Sequence, residues 1–202
     1  MSILEVKNLC KSYKGFDLNN VSFDIPEGTI MGLIGENGAG KSTIINIITN
    51  AVHKNSGTVK LFGVDLENCG PDIWNSIAVV QADCGFPEEL TIKNAESVLK
   101  GIYKNWDSGK FESYINKLGL DFKKKIKSLS TGMKMKLELA IALSHSARLL
   151  ILDEATNGLD FMARNEILDI LMDFIQDESC GVLLASHIIE DMERICDYIT
   201  FI

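Results

Sequence analysis

One segment constrains this chain more than any other: Gly35-Glu-Asn-Gly-Ala-Gly-Lys41-Ser42-Thr43, a full match to G-x-x-x-x-G-K-[ST]. It follows a continuously apolar run over residues 29–34, the pattern of a strand buried on both faces. Residues 44–49 then have helical character. Between such a strand and such a helix, Gly35, Gly38 and Gly40 let successive backbone N–H groups converge on phosphate oxygens. The helix N-terminus adds a favourable dipole. The loop of Gly35, Glu36, Asn37, Gly38, Ala39, Gly40, Lys41, Ser42 and Thr43 is therefore the candidate phosphate cradle. Lys41 is expected to neutralise the β- and γ-phosphates, and Ser42 to ligate Mg²⁺.

A second run, Leu149-Leu-Ile-Leu-Asp153-Glu154, reads as a buried strand ending in two acids. Asp153 emerges where it can hold the water shell of Mg²⁺. Glu154 is placed to polarise an attacking water, a role that a hydrolase needs and a kinase lacks.

Around these two segments the chain alternates. Short runs at residues 3–6 and 21–25 read as early strands, expected to be antiparallel, and residues 58–62 and 77–80 as two more. From about 91 to 127 the period becomes helical, a lysine-rich insert of about three helices. Strand and helix alternation then returns through 149–152, 162–175, 182–185, 188–195 and 198–202. The expected fold class is α/β, a mostly parallel sheet covered by helices with antiparallel N-terminal strands. Residues 1–84 and 147–202 would form the sheet lobe, and 85–146 a helical lobe.

Composition narrows the function classes. The formal charge is −8, and from residue 148 onward Arg148, Arg164 and Arg194 face twelve acids. A chain this acidic, with no basic stripe, is a poor nucleic-acid binder by electrostatics alone. Its five cysteines (Cys10, Cys69, Cys84, Cys180, Cys196) are odd in number and never in Cys-x-x-Cys spacing, so free thiols in a reducing cytosol are expected. No apolar run approaches the ~18 residues of a membrane span.

The two segments above, with Leu129-Ser-Thr-Gly-Met133, Asn157-Gly-Leu-Asp160, Gln81 and His187 in that chain order, resemble the nucleotide-binding subunit of ATP-binding cassette (ABC) transporters. The resemblance spans residues 4–201. It implies an ATPase that binds ATP and Mg²⁺ between two subunits, alike or related, and drives a separate transmembrane permease at the cytoplasmic face of the membrane. By the same resemblance, Tyr13 stacks on adenine, Gln81 touches Mg²⁺ and the attacking water, and His187 contacts the γ-phosphate. Ser130 and Gly132 bind the γ-phosphate held by the partner, and Asp160 couples the two sites.

The chain departs from the family pattern in its signature, where Thr131 and Met133 replace a glycine and a glutamine. The following Met133-Lys-x-Lys is similar to the ATPases of bacterial exporters for peptides, antibiotics or lipids. Ala155 stands where proline is common, which an extended backbone would tolerate. By the resemblance, Phe86-Pro-Glu-Glu89 borders the groove that receives the permease, where an exposed Phe86 would suit a partner contact and a buried one the core, while residues 123–125 read as a solvated lysine face. Two rivals fit less well: ribosome-acting cassette ATPases carry two cassettes, and chromosome-structuring ATPases separate the motifs by a coiled coil. Because the chain ends inside an alternating strand, a shortened form with an under-protected edge is expected.

Overall fold

The structure is a computed structural model that describes residues 1–81 and 85–202. Two sheets divide the strands. An antiparallel sheet holds β1 (Ser2–Tyr13), β2 (Phe16–Pro26), β4 (Ser56–Leu61) and β5 (Val64–Asp65), in the order β2-β1-β4-β5. A parallel sheet holds β3 (Thr29–Ile34), β6 (Ile77–Gln81), β7 (Leu149–Asp153), β8 (Gly181–Ser186) and β9 (Tyr198–Phe201), in the order β6-β7-β8-β3-β9. The α/β expectation holds, and the early strands prove antiparallel. They are much longer than their apolar runs, because the tight Lys14-Gly15 turn lets polar residues continue the ladder to Tyr13↔Phe16. β9 is the edge strand beside β3.

Apolar residues sit on both faces of the parallel sheet, which is why its strands read as unbroken hydrophobic runs. Met31, Leu33, Ile151, Leu183 and Ala185 face α1 (Lys41–Ile48) and the antiparallel sheet. Ile30, Ile34, Val80, Leu150, Leu152, Val182 and Leu184 face the opposite way, into the remaining helices. After the four-residue α2 (Pro71–Trp74) these are α3 (Ile92–Ile102), α4 (Ser108–Lys117), α5 (Thr131–Ser144), α6 (Phe161–Phe174) and α7 (Ile189–Ile195).

Over residues 91–127 the insert holds two α-helices, and where a third was expected there is only the start of a short 3-10 helix, Ile126–Ser128. Gly119 takes a left-handed φ of 66°, and Lys124 N–H closes a turn on the Asp121 carbonyl at 2.9 Å, so the chain after Leu118 turns instead of coiling. Its apolar centre, fully buried Phe111 against Trp106 and Phe122, merges with the cluster on the sheet's second face. His145, just after α5, is buried there and stacks on Tyr103 with ring centroids 4.0 Å apart. Burial holds its imidazole below the usual histidine range, against the opposing carbonyls of Ile141 and Ile77.

Residues 86–89 are tied to this helical region. Phe86 packs partly against its core, and Glu89 accepts from Lys125 at 2.8 Å and Lys127 at 2.6 Å. The lysines at 123–125 are exposed as expected, with Lys125 taken up in that pair. Cys10, Cys69, Cys180 and Cys196 are free thiols, and Cys84 lies outside the described residues. Among the described residues, no helix is long and apolar enough to cross a membrane.

Candidate functional site

Parallel α/β sheets bind ligands beyond the carboxyl ends of their strands. The register explains why the candidate residues gather there. Gln81 pairs with Asp153, and Asp153 with Ala185, in one row across β6, β7 and β8. Ile34, one residue before the phosphate-type loop, pairs with Ser186, one residue before His187. Four sequence segments thus meet at the carboxyl end of one sheet.

Gly38 and Gly40 turn the loop with φ values of 88° and 115°, a region that favours glycine. At Gly40 the space is also closed, since an added Cβ would lie 2.8 Å from Phe16 and 3.1 Å from Leu18. α1 starts immediately after Gly40 with no side-chain cap. The four longer helices differ: Thr91, Asp107, Ser130 and Asp160 each cap their own helix by accepting a backbone N–H. The first-turn amides of α1, including those of Ser42 and Thr43, are therefore available to an external anion.

The Lys41 side chain is only 5% exposed. Its ammonium donates to the carbonyls of Gly35 at 2.7 Å and Glu36 at 3.2 Å, and lies 3.1 Å from Glu154 Oε1. That last approach is an ion pair without hydrogen-bond geometry, as Glu154 Oε1 has no hydrogen-bond partner. The other oxygen, Glu154 Oε2, is 2.8 Å from His187 Nδ1. A carboxyl group held between an ammonium and an imidazole is fixed in direction, a geometry suited to accepting a proton from water.

Glu154 reaches this position through a left-handed φ of 53°, a strained conformation for a side-chain-bearing residue. Its N–H is held by the Ala185 carbonyl at 2.9 Å. Strain of order 1–3 kcal/mol that the sheet fixes in place is characteristic of working residues. The same turn corrects the expectation at Ala155, which lies in a turn closed by Asn157 N–H on the Glu154 carbonyl at 3.1 Å. The chain cannot run extended there because Glu154 has already turned it.

Asp153 Oδ1 is buried without a hydrogen-bond partner. Burial pushes its carboxyl up, the Ser42 hydroxyl pulls it down, Glu154 raises it and Lys41 lowers it. An under-partnered acid beside a hydroxyl suits a hard divalent cation with oxygen ligands. Among the described residues no three His, Cys, Asp or Glu cluster as a metal site.

The loop, Lys41, Ser42, Thr43, Asn37 and Glu154 line a cleft of roughly 320 Å³, whose other wall is Tyr13 and Phe16. Those two rings are 6.3 Å apart and tilted by 32°. Phe16 was not among the candidates. The signal was present in the Tyr13-Lys-Gly-Phe16 hairpin, which brings its two flanking rings to one end of the sheet. Gln81 is exposed at the end of β6.

Ser130, Gly132 and Asp160 are not in that cleft. They line a second one of roughly 300 Å³ with Thr131, Gly158 and Ala163. The Ser130 hydroxyl accepts from Met133 N–H at 3.3 Å, and Asp160 Oδ1 from Ala163 N–H at 2.9 Å. Two helix N-termini, of α5 and α6, therefore open on a shared space.

Residues 18–157 match the ABC transporter domain family. SrtF of Streptococcus pyogenes, a lantibiotic transport ATP-binding protein, is 38% identical over 99% of this chain and 86% of its own length. YtrB of Bacillus subtilis, an ABC transporter ATP-binding protein, is 31% identical over 99% of this chain and 68% of its own. The bacitracin transport ATP-binding protein BcrA of Enterococcus faecalis is 30% identical over 98% and 65%. A solved ATP-binding subunit of an ABC transporter superposes with a TM-score of 0.88 at 28% identity, covering 99% of this chain and 85% of that one. With the phosphate loop, the paired acids and the signature helix in one α/β frame, this chain belongs to the ABC transporter family, as an ATP-binding ATPase subunit.

Proposed function

We propose that the first cleft takes ATP with Mg²⁺, and that the second cleft of a partner subunit closes over its γ-phosphate. Tyr13 stacks on adenine, and the loop from Gly35 to Thr43 wraps the phosphates. Ser42, Asp153 and Gln81 would hold Mg²⁺, which supplies positive charge to the phosphate oxygens when bound. The observation that carries the reading is the Lys41–Glu154–His187 relay at the mouth of an uncapped helix.

In hydrolysis, the nucleotide takes over Lys41 from Glu154. The freed carboxylate orients a water for in-line attack on the γ-phosphorus and accepts its proton. The bond to the β–γ bridging oxygen breaks, and Lys41 carries part of the charge that develops on the leaving diphosphate. His187 keeps Glu154 aimed and reaches the γ-phosphate oxygens. Gln81, in register with Asp153, helps fix the water and links the site to the segment carrying Phe86.

The two clefts share no lining residue, and in the proposed arrangement one nucleotide lies between the first cleft of one chain and the second cleft of another. A like or related subunit as the second copy, and a membrane permease on the cytoplasmic face as the driven partner, complete this reading, and the relatives' place in transport supports the permease. The relatives named for lantibiotic and bacitracin transport, with the Met133-Lys-x-Lys signature, support export of a peptide-, antibiotic- or lipid-like cargo.

The test separates chemistry from pairing. Glu154→Gln keeps the shape but removes the base, so turnover falls about 10²- to 10⁴-fold while MgATP still binds. Size-exclusion chromatography in MgATP then shows dimer for Glu154→Gln. Adding Gly132→Glu sets a carboxylate against the partner's γ-phosphate and returns the protein to monomer. A double variant that dimerises as well as the single one overturns the trans arrangement.

A further inference from the structure

The aromatic wall of the first cleft has a support on its far side. Lys11 lies two residues before Tyr13 on β1, so their side chains project from the same face of the strand. Its ammonium sits 4.9 Å from the centre of the Tyr13 ring. The same ammonium donates to the His53 carbonyl at 2.7 Å. That carbonyl belongs to a segment itself fastened to β1. Asn55 N–H donates to the Cys10 carbonyl at 2.9 Å, and Ser12 N–H donates to Asn55 Oδ1 at 2.9 Å. Lys11 is thus held at a fixed point, and it is absent from the residues that line the cleft.

Tyr13 otherwise has little to hold it. It is the last residue of its strand and 45% exposed, with the Phe16 ring 6.3 Å away and tilted by 32°. An exposed ring that must become fixed when a base stacks on it loses side-chain freedom at that moment. A tethered cation over one face restricts the ring in advance and leaves the cleft-facing side free. It also draws π density toward itself, which lessens repulsion between the ring and an electron-rich base on the other side.

We infer that Lys11 is a positioning residue for nucleobase recognition, holding the Tyr13 ring in place from the far side of the cleft. The inference rests on the reading that Tyr13 stacks on the base. Lys11 acts only on ligands that carry a base, and only through Tyr13.

Calorimetric titration with MgADP and with magnesium pyrophosphate tests this. The two ligands share a diphosphate, and neither is consumed. Lys11→Met keeps the apolar stem and removes the charge. It should weaken MgADP about two- to fivefold, the scale of an exposed cation–π contact, and leave pyrophosphate unchanged. Lys11→Arg, which can still cover the ring and reach the His53 carbonyl, should restore near-native affinity. In a Tyr13→Ala background, Lys11→Met should add nothing.

The inference is overturned if Lys11→Met leaves MgADP binding intact. Equal weakening of both ligands also overturns it, since that is a general charge effect, as does a full additional loss on top of Tyr13→Ala. If instead Tyr13→Ala itself leaves MgADP binding unchanged, it is the stacking reading that fails, and the role of Lys11 goes with it.

Discussion

The two clefts use one device, a helix N-terminus opening from a glycine-bearing loop, and differ in what already occupies them. In the first, α1 is uncapped, and its cation is engaged by two carbonyls and the Glu154 carboxylate. In the second, α5 and α6 cap themselves with Ser130 and Asp160, and the cation on the wall, Lys136, is paired with Glu166. The first cleft therefore carries an internal anion that a phosphate must displace. The second offers neutral donors and one acid, so it holds a polyphosphate poorly by itself. It gains a purpose on a phosphate that a cleft of the first kind has already bound, which supports the trans arrangement.

The sharpest way to break this comparison is at Lys41. Lys41→Ala removes the charged donor and leaves Glu154 with His187 alone. Affinity for a fluorescent ATP analogue should fall about 10- to 100-fold, the value of a charge-assisted hydrogen bond or two. Undiminished affinity would mean that the first cleft is not the phosphate site.

Next comes Gly40, where the loop meets the aromatic wall. Gly40→Ala would force a Cβ to within 2.8 Å of Phe16 in a left-handed backbone. The expected destabilisation is about 1–3 kcal/mol, a fall of roughly 3–10 °C in Tm. Nucleotide binding should weaken with it, because the same strain opens the cradle. A variant that melts with the native protein would show that Phe16 yields easily and that the wall does not brace the loop.

These contrasts also mark what a sequence can carry. The phosphate-type loop, the Asp153–Glu154 strand end and the alternation around them were legible because glycine placement and burial on both faces leave local traces. The membership of β4 in the antiparallel sheet was not, since a short β-branched run has no sign of which sheet it joins. Phe16 was missed because its role arises from cross-strand pairing with Tyr13 and close approach to Gly40. The 2.8 Å contact of His187 with Glu154 joins residues that lie one position beyond the ends of the neighbouring strands β8 and β7, and the parallel register of those strands brings them together. The absent third helix of the insert failed for a local reason, the left-handed Gly119, which apolar periodicity alone does not register.

The smallest expected effect is at Gly132, and it sharpens the comparison of the two clefts. Unlike Gly40, it has no left-handed φ, and an added Cβ would meet Ala163 Cβ at 3.5 Å and Leu159 Cδ2 at 3.6 Å, ordinary contacts. It lies in the first turn of α5, where alanine is a better helix former than glycine by up to about 1 kcal/mol. Gly132→Ala should therefore melt at the native temperature or a few degrees above it, by calorimetry without nucleotide. The methyl does face the cleft, so MgATP-dependent dimerisation in the Glu154→Gln background should weaken while Tm does not. If Tm falls instead, Gly132 is required by the fold. Loss of the dimer in Gly132→Glu would then report damage to α5 and not repulsion from a phosphate.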